Sequence, residues 1–195
     1  MKLTTLIFDT ETSSVTNKSL AADHPDQGQL MQFAALLIDE QGKELSSFYS
    51  LVYPEINYNV NPGAFAAHGI NKSDCEIIGV PLKVVLSVFA ELYEVANNVV
   101  AHNLKFDKGI IETACGVAAW SHNWNVAKHF CTMEAMTPIC KLPAKWKGTE
   151  FKWPKLEEAY RHCFKTEMTK AHDALGDVRA TSQVWLWLQS QQKAK

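Results

Sequence analysis

The stretch that decides the fold is near the N-terminus, where residues 3–11 read LTTLIFDTE. A short apolar run that contains Thr and Ile is typical of a buried strand, and here it leads directly into Asp9 and Glu11. Side chains two residues apart in a strand point to the same face of the sheet. The stretch therefore predicts a first strand over 3–8 with two carboxylates side by side at its end.

This pair of carboxylates suits a metal ion. Adjacent carboxylates repel each other, and a divalent cation relieves that repulsion. Ligands that are all oxygen atoms favour Mg²⁺ or Mn²⁺. An Asp-x-Glu pair is also common in solvated turns, so this interpretation needs support from other parts of the chain.

A second signal lies at residues 99–107, which read VVAHNLKFD. Again a short apolar strand leads into polar residues and an acid. Asp107 alone could equally be the N-cap of the helix that follows. His102 and Asn103 could be ordinary turn residues at the end of the strand.

A third signal, HDALGDVRAT at 172–181, opens the last predicted helix. Asp177 lies more than one turn inside this helix, where an acid is costly unless it faces water, a partner or a metal. A histidine such as His172 can exchange protons near neutral pH. The alternative is a surface helix with Asp173 as its cap.

Together, the three segments resemble the three exonuclease motifs of the DEDDh, or DnaQ-like, 3′–5′ exonucleases in order and relative spacing. The resemblance extends from about Leu3 to Leu188. Residues 67–70, AHGI, are similar to the H-G-I element that follows the hairpin in that family.

The resemblance implies an α/β protein of the RNase H-like fold, with a mixed β-sheet flanked by α-helices. It also implies a site for two Mg²⁺ or Mn²⁺ ions, in which His172 is the general base. Asp173 is assigned to helix capping, since the family's ligand matches the later acid. The four metal ligands implied are Asp9, Glu11, Asp107 and Asp177.

The pattern of apolar residues also predicts a mixed sheet flanked by helices. No linker or internal repeat interrupts it, so we expect a single exonuclease domain over residues 1–195. Strands are predicted at 3–8, 32–38, 45–53 and 99–101, and helices at 62–68, 81–97, 107–119, 155–164 and from about 173 onward.

We expect the terminal nucleotide to be bound by the backbone near Thr10 and by the side chains of Phe65 and His68. An aromatic ring can stack on a base with little sequence preference, although core packing explains Phe65 equally well. Residues 141–155 combine lysines with aromatic residues and could track a nucleic-acid backbone. The alternative for that segment is a solvated loop whose aromatic side chains pack on the domain.

The composition is that of an ordinary globular protein, with a formal net charge of −2 that does not itself indicate a nucleic-acid partner. No apolar stretch approaches the roughly 20 residues of a membrane-spanning helix, and the N-terminal run is too short for a signal peptide. The five cysteines lack C-x-x-C spacing and predict free thiols. We therefore expect a cytoplasmic protein that has no membrane partner. The sequence does not indicate which proteins it binds.

The function expected is a 3′–5′ exonuclease that hydrolyses nucleic acid from a free 3′ end, favouring single-stranded or frayed DNA, and releases nucleoside 5′-monophosphates. One alternative is an exoribonuclease or oligoribonuclease, because sugar choice depends on pocket shape near the 2′ position rather than on the catalytic set. A second alternative is a non-catalytic module that binds nucleic acid.

Overall fold

A computed structural model describes residues 3–125, 127–144, 150–168 and 174–193. Its centre is a five-stranded mixed sheet with strand order β3-β2-β1-β4-β5. The first three strands pair antiparallel, while β4 runs parallel to β1 and β5 runs parallel to β4. The strands are β1 (Thr4–Thr12), β2 (Leu30–Asp39), β3 (Glu44–Leu51), β4 (Asn98–Ala101) and β5 (Lys128–Cys131).

Helices cover both faces of this sheet, which confirms the predicted fold class. On one face Phe8 packs with residues of the third and fourth helices, such as Phe89 and Ile110. On the other face Ile7 packs with Val178 of the last helix. The helices are α1 (Pro62–His68), α2 (Lys72–Ile78), α3 (Leu82–Glu94), α4 (Leu104–Val117), α5 (Thr132–Cys140), α6 (Leu156–Phe164) and α7 (Ala174–Lys193).

Two predicted boundaries at the acidic motifs are wrong. Strand β1 continues to Thr12 rather than ending at Phe8, because Glu11 still pairs with Gln32 of β2. Helix α4 begins at Leu104, three residues before the predicted start, and its N-cap is Asn103 with φ 78°. Both acids of the first motif therefore lie inside a paired strand.

The first helix has the ends that its sequence predicts. The Asn61 side chain accepts a hydrogen bond of 2.8 Å from the Gly63 backbone N–H at the start of α1. Gly69 ends the helix in the left-handed region with φ 70°, a conformation that glycine adopts without steric cost.

Three elements were missed, namely α2, β5 and α5. Helix α2 buries only Cys75 and strand β5 has four residues, so neither carries a clear hydrophobic period. The five cysteines are free, as predicted. In the described part of the chain, no helix combines the length and the apolar character of a membrane span.

Candidate active site

Strand β1 and helix α7 bring three carboxylates together. Asp9 and Glu11 alternate with Thr10, so they share the face of the sheet on which Ile7 packs against α7. Asp177 lies in the first turn of α7, so the prediction that it lies more than one turn inside the helix is wrong, because the described helix begins at Ala174. One carboxylate oxygen from each of these three acids lies within 4.8 Å of the other two, a spacing at which one cation can contact all three.

Asp107 joins this group from the opposite face of the sheet. The backbone N–H and the hydroxyl of Thr10 donate hydrogen bonds of 3.0 and 2.8 Å to Asp107 Oδ1. The Asp107 side chain is buried, with 2% of its surface exposed. The interpretation of Asp107 as a helix N-cap is therefore wrong, because this side chain binds β1 and Asn103 occupies the cap position.

The carboxylates raise one another's pKa values. Burial raises the pKa of Asp9 well above its usual value, and the charges of Asp107, Asp177 and Glu11 raise it further. Burial also raises the pKa of Asp107 to about 7, although the hydrogen bonds from Thr10 oppose that shift. The four acids thus form one electrostatic unit. Its all-oxygen donor set and mutual repulsion fit a divalent cation such as Mg²⁺ or Mn²⁺.

Helix α7 begins beside this unit. The backbone N–H of Ala174 donates a hydrogen bond of 3.4 Å to the Gln32 side chain, and Gln32 is the β2 partner of Glu11. His172, the predicted general base, and Asp173 lie outside the described residues.

A cavity of about 390 Å³ lies next to the carboxylates. Glu11, Thr10 and His68 line it, so the structure brings two of the three predicted nucleotide contacts to one place. Phe65 is 44% exposed on α1 and is not among the described residues that line the cavity. Phe106 lines it instead. In the sequence this residue belongs to the second motif, directly before Asp107, but it was not a candidate for nucleotide binding.

His68 connects α1 to the end of β1. Its Nε2–H donates a hydrogen bond of 3.0 Å to the Thr12 carbonyl, and its Nδ1 accepts one of 2.9 Å from the Ile70 backbone N–H. This pairing fits a neutral imidazole. The ring is therefore held in place as a wall of the cavity.

His102 is more than a turn residue. Its Nε2–H donates to the Pro154 carbonyl at 3.0 Å, and its Nδ1 lies 2.9 Å from the Thr132 hydroxyl. Burial lowers its pKa, which favours the neutral ring. His102 thus ties the end of β4 to the start of α5 and to the segment that precedes α6.

The described lysines of the basic segment at 141–155 include two that pair with acids. Lys152 Nζ donates to Glu158 at 2.6 Å, and Lys155 lies 3.6 Å from Glu157. Trp153 is exposed. Lys145, Trp146 and Lys147 lie outside the described residues, so a role for this segment in binding nucleic acid stays a prediction.

The fold and site define an α/β protein with a candidate divalent-metal centre of four carboxylates on a mixed sheet. A family model for RNase_T, described as exonuclease, matches residues 6–185, and the chain belongs to this exonuclease family. The predicted family and the predicted class of enzyme, an exonuclease hydrolase, are confirmed.

Solved structures of E. coli Exonuclease I are similar in fold. The complex with a dT13 oligonucleotide has a TM-score of 0.74 and 22% sequence identity over 98% of this chain. The complex with dA16 has a TM-score of 0.75 and 21% identity over 98%, and the zinc-bound complex with single-stranded DNA has 0.71 and 22% over 99%. The chain spans 42% of the length of each of these proteins. No curated protein matches the sequence.

Proposed function

We propose that this chain is a divalent-metal-dependent 3′–5′ exonuclease that acts on single-stranded DNA or frayed ends and releases nucleoside 5′-monophosphates. The observation that carries the proposal is the meeting of Asp9, Glu11 and Asp177 within 4.8 Å, with Asp107 held beside them by Thr10. Membership in the exonuclease family supports the reaction class.

The choice of a strand end and of DNA rests on two further observations. The cavity beside Glu11 is about 390 Å³, which suits one nucleotide-sized ligand. The similar E. coli Exonuclease I has been crystallised with dT13 and dA16 oligonucleotides. A terminal deoxynucleotide in this cavity would place its 5′-phosphate near the carboxylates.

In the proposed reaction, water attacks the phosphorus of the last phosphodiester. The bond from phosphorus to the 3′ oxygen of the preceding nucleotide breaks, and that oxygen takes up a proton from solvent to become the new 3′-hydroxyl of the strand. The terminal nucleotide leaves with its 5′-phosphate. Asp9, Glu11, Asp107 and Asp177 would hold two Mg²⁺ or Mn²⁺ ions, which when bound neutralise the charge of the phosphoryl group.

The chain's own residues hold the reacting groups and move the proton. Thr10 orients the Asp107 carboxylate through two hydrogen bonds. His68 and Phe106 line the cavity beside Glu11, in which the terminal nucleotide is proposed to bind. His172 is proposed as the general base that takes the proton of the attacking water, a role that histidine performs near neutral pH. His172→Ala should therefore lower turnover and spare metal binding.

The test uses single-stranded DNA and RNA of the same sequence, each labelled at its 5′ end and incubated with Mg²⁺ or Mn²⁺. We expect a ladder that shortens from the 3′ end, disappears in EDTA and is faster on DNA. Asp107→Asn should abolish the ladder. The matched control is Asp23→Asn in the exposed loop after β1, which should leave it unchanged.

Each other outcome points to a different function. A faster ladder on RNA would favour an exoribonuclease. Shortening from the 5′ end would contradict the polarity. Binding of Mg²⁺ and DNA without hydrolysis of either the DNA or the RNA would contradict the proposed exonuclease activity and favour a non-catalytic binding module.

A further inference from the structure

Strand β3 forms one edge of the sheet, and no other strand of the described chain lies along its outer side before Leu51. Beyond Leu51 that side is covered, because Val52 forms an isolated parallel bridge with Val80. The first four residues of β3 are all exposed. An open edge presents backbone N–H and C=O groups that can pair with a further strand.

The two edges of the sheet differ in how they are protected. The opposite edge, β5, has only four residues, and Lys128 and His129 on it are exposed. Short edge strands and exposed lysines discourage pairing with another chain. Strand β3 has eight residues, and from Leu45 to Leu51 none of them is charged and none is proline. The sequence of β3 therefore suits pairing with another strand.

Backbone hydrogen bonds show which residues of this edge point outward. The Val52 N–H donates to the carbonyl of Met31, inside the sheet, whereas the Leu51 carbonyl accepts from the Val80 N–H on the outer side. Successive residues of an antiparallel strand direct their backbone groups to opposite sides. The only shift in the β2–β3 ladder lies before Ser47. Ser47 therefore directs its N–H and C=O outward.

A second copy of the chain fits this edge. The Leu51 carbonyl is already bonded, so Ser47 lies in the middle of the part of β3 that a further strand can reach. Antiparallel pairing about a two-fold axis at Ser47 places Leu45 of each copy close to Tyr49 of the other, and Glu44 close to Ser50. Leu45 and Tyr49 are 48% and 45% exposed, and apolar pairs across strands are stabilising. No like charges meet in this register.

The symmetry of this pairing also favours a second copy as the occupant. A two-fold contact uses the same surface on both copies and closes after two chains. An open, uncharged edge would otherwise promote pairing of many chains and aggregation.

Apolar side chains extend the surface around this edge. A stable interface buries about 1,000 Å² or more in total, so paired strands need further contacts. A Cβ at Gly79 would lie 2.5 Å from the Tyr53 backbone nitrogen, which shows that the end of α2 packs against the chain just after β3. The large exposed apolar residues on β3 and on the segments that border its end are Leu45, Tyr49, Tyr53, Ile77, Ile78 and Val84. Exposed apolar surface of this kind marks a protein interface.

We propose that the chain forms a two-fold dimer in which the β3 strands of two copies pair antiparallel about Ser47. The pairing joins two five-stranded sheets into one continuous sheet. The dimer goes beyond the proposed exonuclease function and does not depend on it.

The first experiment is sedimentation equilibrium over a wide range of protein concentration. The wild type should have twice the mass of one chain. Ser47→Pro removes the outward N–H from both copies and spares the ladder with β2, so it should raise the dissociation constant of the dimer at least about tenfold. Ser47→Thr keeps that N–H and should remain dimeric.

Two results of this experiment would overturn the dimer. One is a wild type that is monomeric at every concentration. The other is a dissociation constant of Ser47→Pro equal to that of the wild type.

The second experiment tests the two-fold axis by charge and does not depend on the folding of the proline variant. Ser47→Lys and Ser47→Glu each place like charges opposite one another, so each variant alone should be monomeric. An equimolar mixture of the two should form a dimer that contains one copy of each. Ser121→Lys, in an exposed loop before β5, is the control and should behave like the wild type. A mixture that stays monomeric would contradict pairing about Ser47.

Failure of the dimer can be told from failure of the proposed function. A monomeric wild type that shortens DNA from the 3′ end would refute the dimer alone. A dimeric wild type that hydrolyses neither DNA nor RNA would refute the exonuclease function and leave the dimer supported.

Discussion

At the scale of single residues, strand alternation organises the site. Asp9 and Glu11 face α7, while Thr10 between them faces α4. Thr10 uses this position to hold Asp107, which is 97 residues away in the chain, with two hydrogen bonds. A three-residue segment thereby supplies two candidate metal ligands and orients a third.

Asp107→Asn should lower activity on single-stranded DNA by at least about a hundredfold, since it removes a charge that stabilises the bound cations. The amide oxygen can still accept both hydrogen bonds from Thr10. In EDTA at pH 8 the variant should therefore unfold about 3 °C or more above the wild type, because a buried charge is lost from a repelling group. Thermal unfolding checks this, and a lower Tm would contradict the electrostatic description.

Thr10→Val keeps the shape of the side chain and removes the 2.8 Å hydrogen bond to Asp107. Loss of a group that orients a metal ligand typically costs about 10–100-fold in metal affinity or activity, and calorimetric titration with Mn²⁺ measures that affinity directly. Thr5→Val is the matched control, since Thr5 is also buried on β1 but lies near Asn98 instead. Equal Mn²⁺ affinity in Thr10→Val and Thr5→Val would show that Thr10 does not orient Asp107 for metal binding.

At the scale of elements, α1 depends on the residues that begin and end it. Asn61 caps its start, and Gly69 stops it in the left-handed region directly after His68. The short helix thereby places His68 at the wall of the cavity beside Glu11. The same residues that define the helix boundaries therefore shape the candidate binding surface.

Gly69→Ala should destabilise the protein by about 1–2 kcal/mol, because a Cβ is unfavourable at the φ of 70° that ends α1. No atom lies within 4 Å of the added Cβ, so backbone strain alone causes this loss. We expect Tm to fall by about 2–4 °C for each kcal/mol in a chain of this size. Gly69→Asn should fall less, since Asn tolerates this conformation; equal losses would contradict the explanation.

At the scale of the whole molecule, the acids of the site make stability depend on pH and metal. The folded-state pKa of Asp9 is raised well above its ordinary value, and that of Asp107 is raised to about 7. The folded protein therefore binds more protons than the unfolded chain between about pH 4 and pH 7. This contribution to stability is present below the ordinary carboxyl pKa and is lost as pH rises through about 7.

Metal binding should reverse that loss. At a hundredfold excess over its dissociation constant, Mg²⁺ should raise Tm at pH 8 by about 5 °C or more. The gain should be smaller at pH 5.5 at the same Mg²⁺ concentration, because protons compete for the same oxygen atoms. Thermal unfolding with Mg²⁺ or EDTA at both pH values measures this, and an equal gain at both would contradict the coupling of the acids.

The predicted elements were correct where long apolar patterns or clear end signals exist. The hairpin of β2 and β3 and the helix that starts at Pro62 follow from alternation, turn residues and caps. The misses are short or weakly amphipathic elements, such as α2, whose one buried residue is Cys75. The boundary at Leu104 was missed because an Asn in the left-handed region, rather than Asp107, begins α4.

By itself, the sequence determined the mixed α/β class, the exonuclease family and the acids that form the candidate metal centre, because these depend on local pattern and on motif order. Only the tertiary structure decided that Thr10 holds Asp107, that Phe106 lines the cavity beside Glu11 and that Gln32 contacts Tyr49. These contacts join residues from different strands and helices. They depend on strand order and pairing across the sheet, which residue periodicity along one chain does not encode.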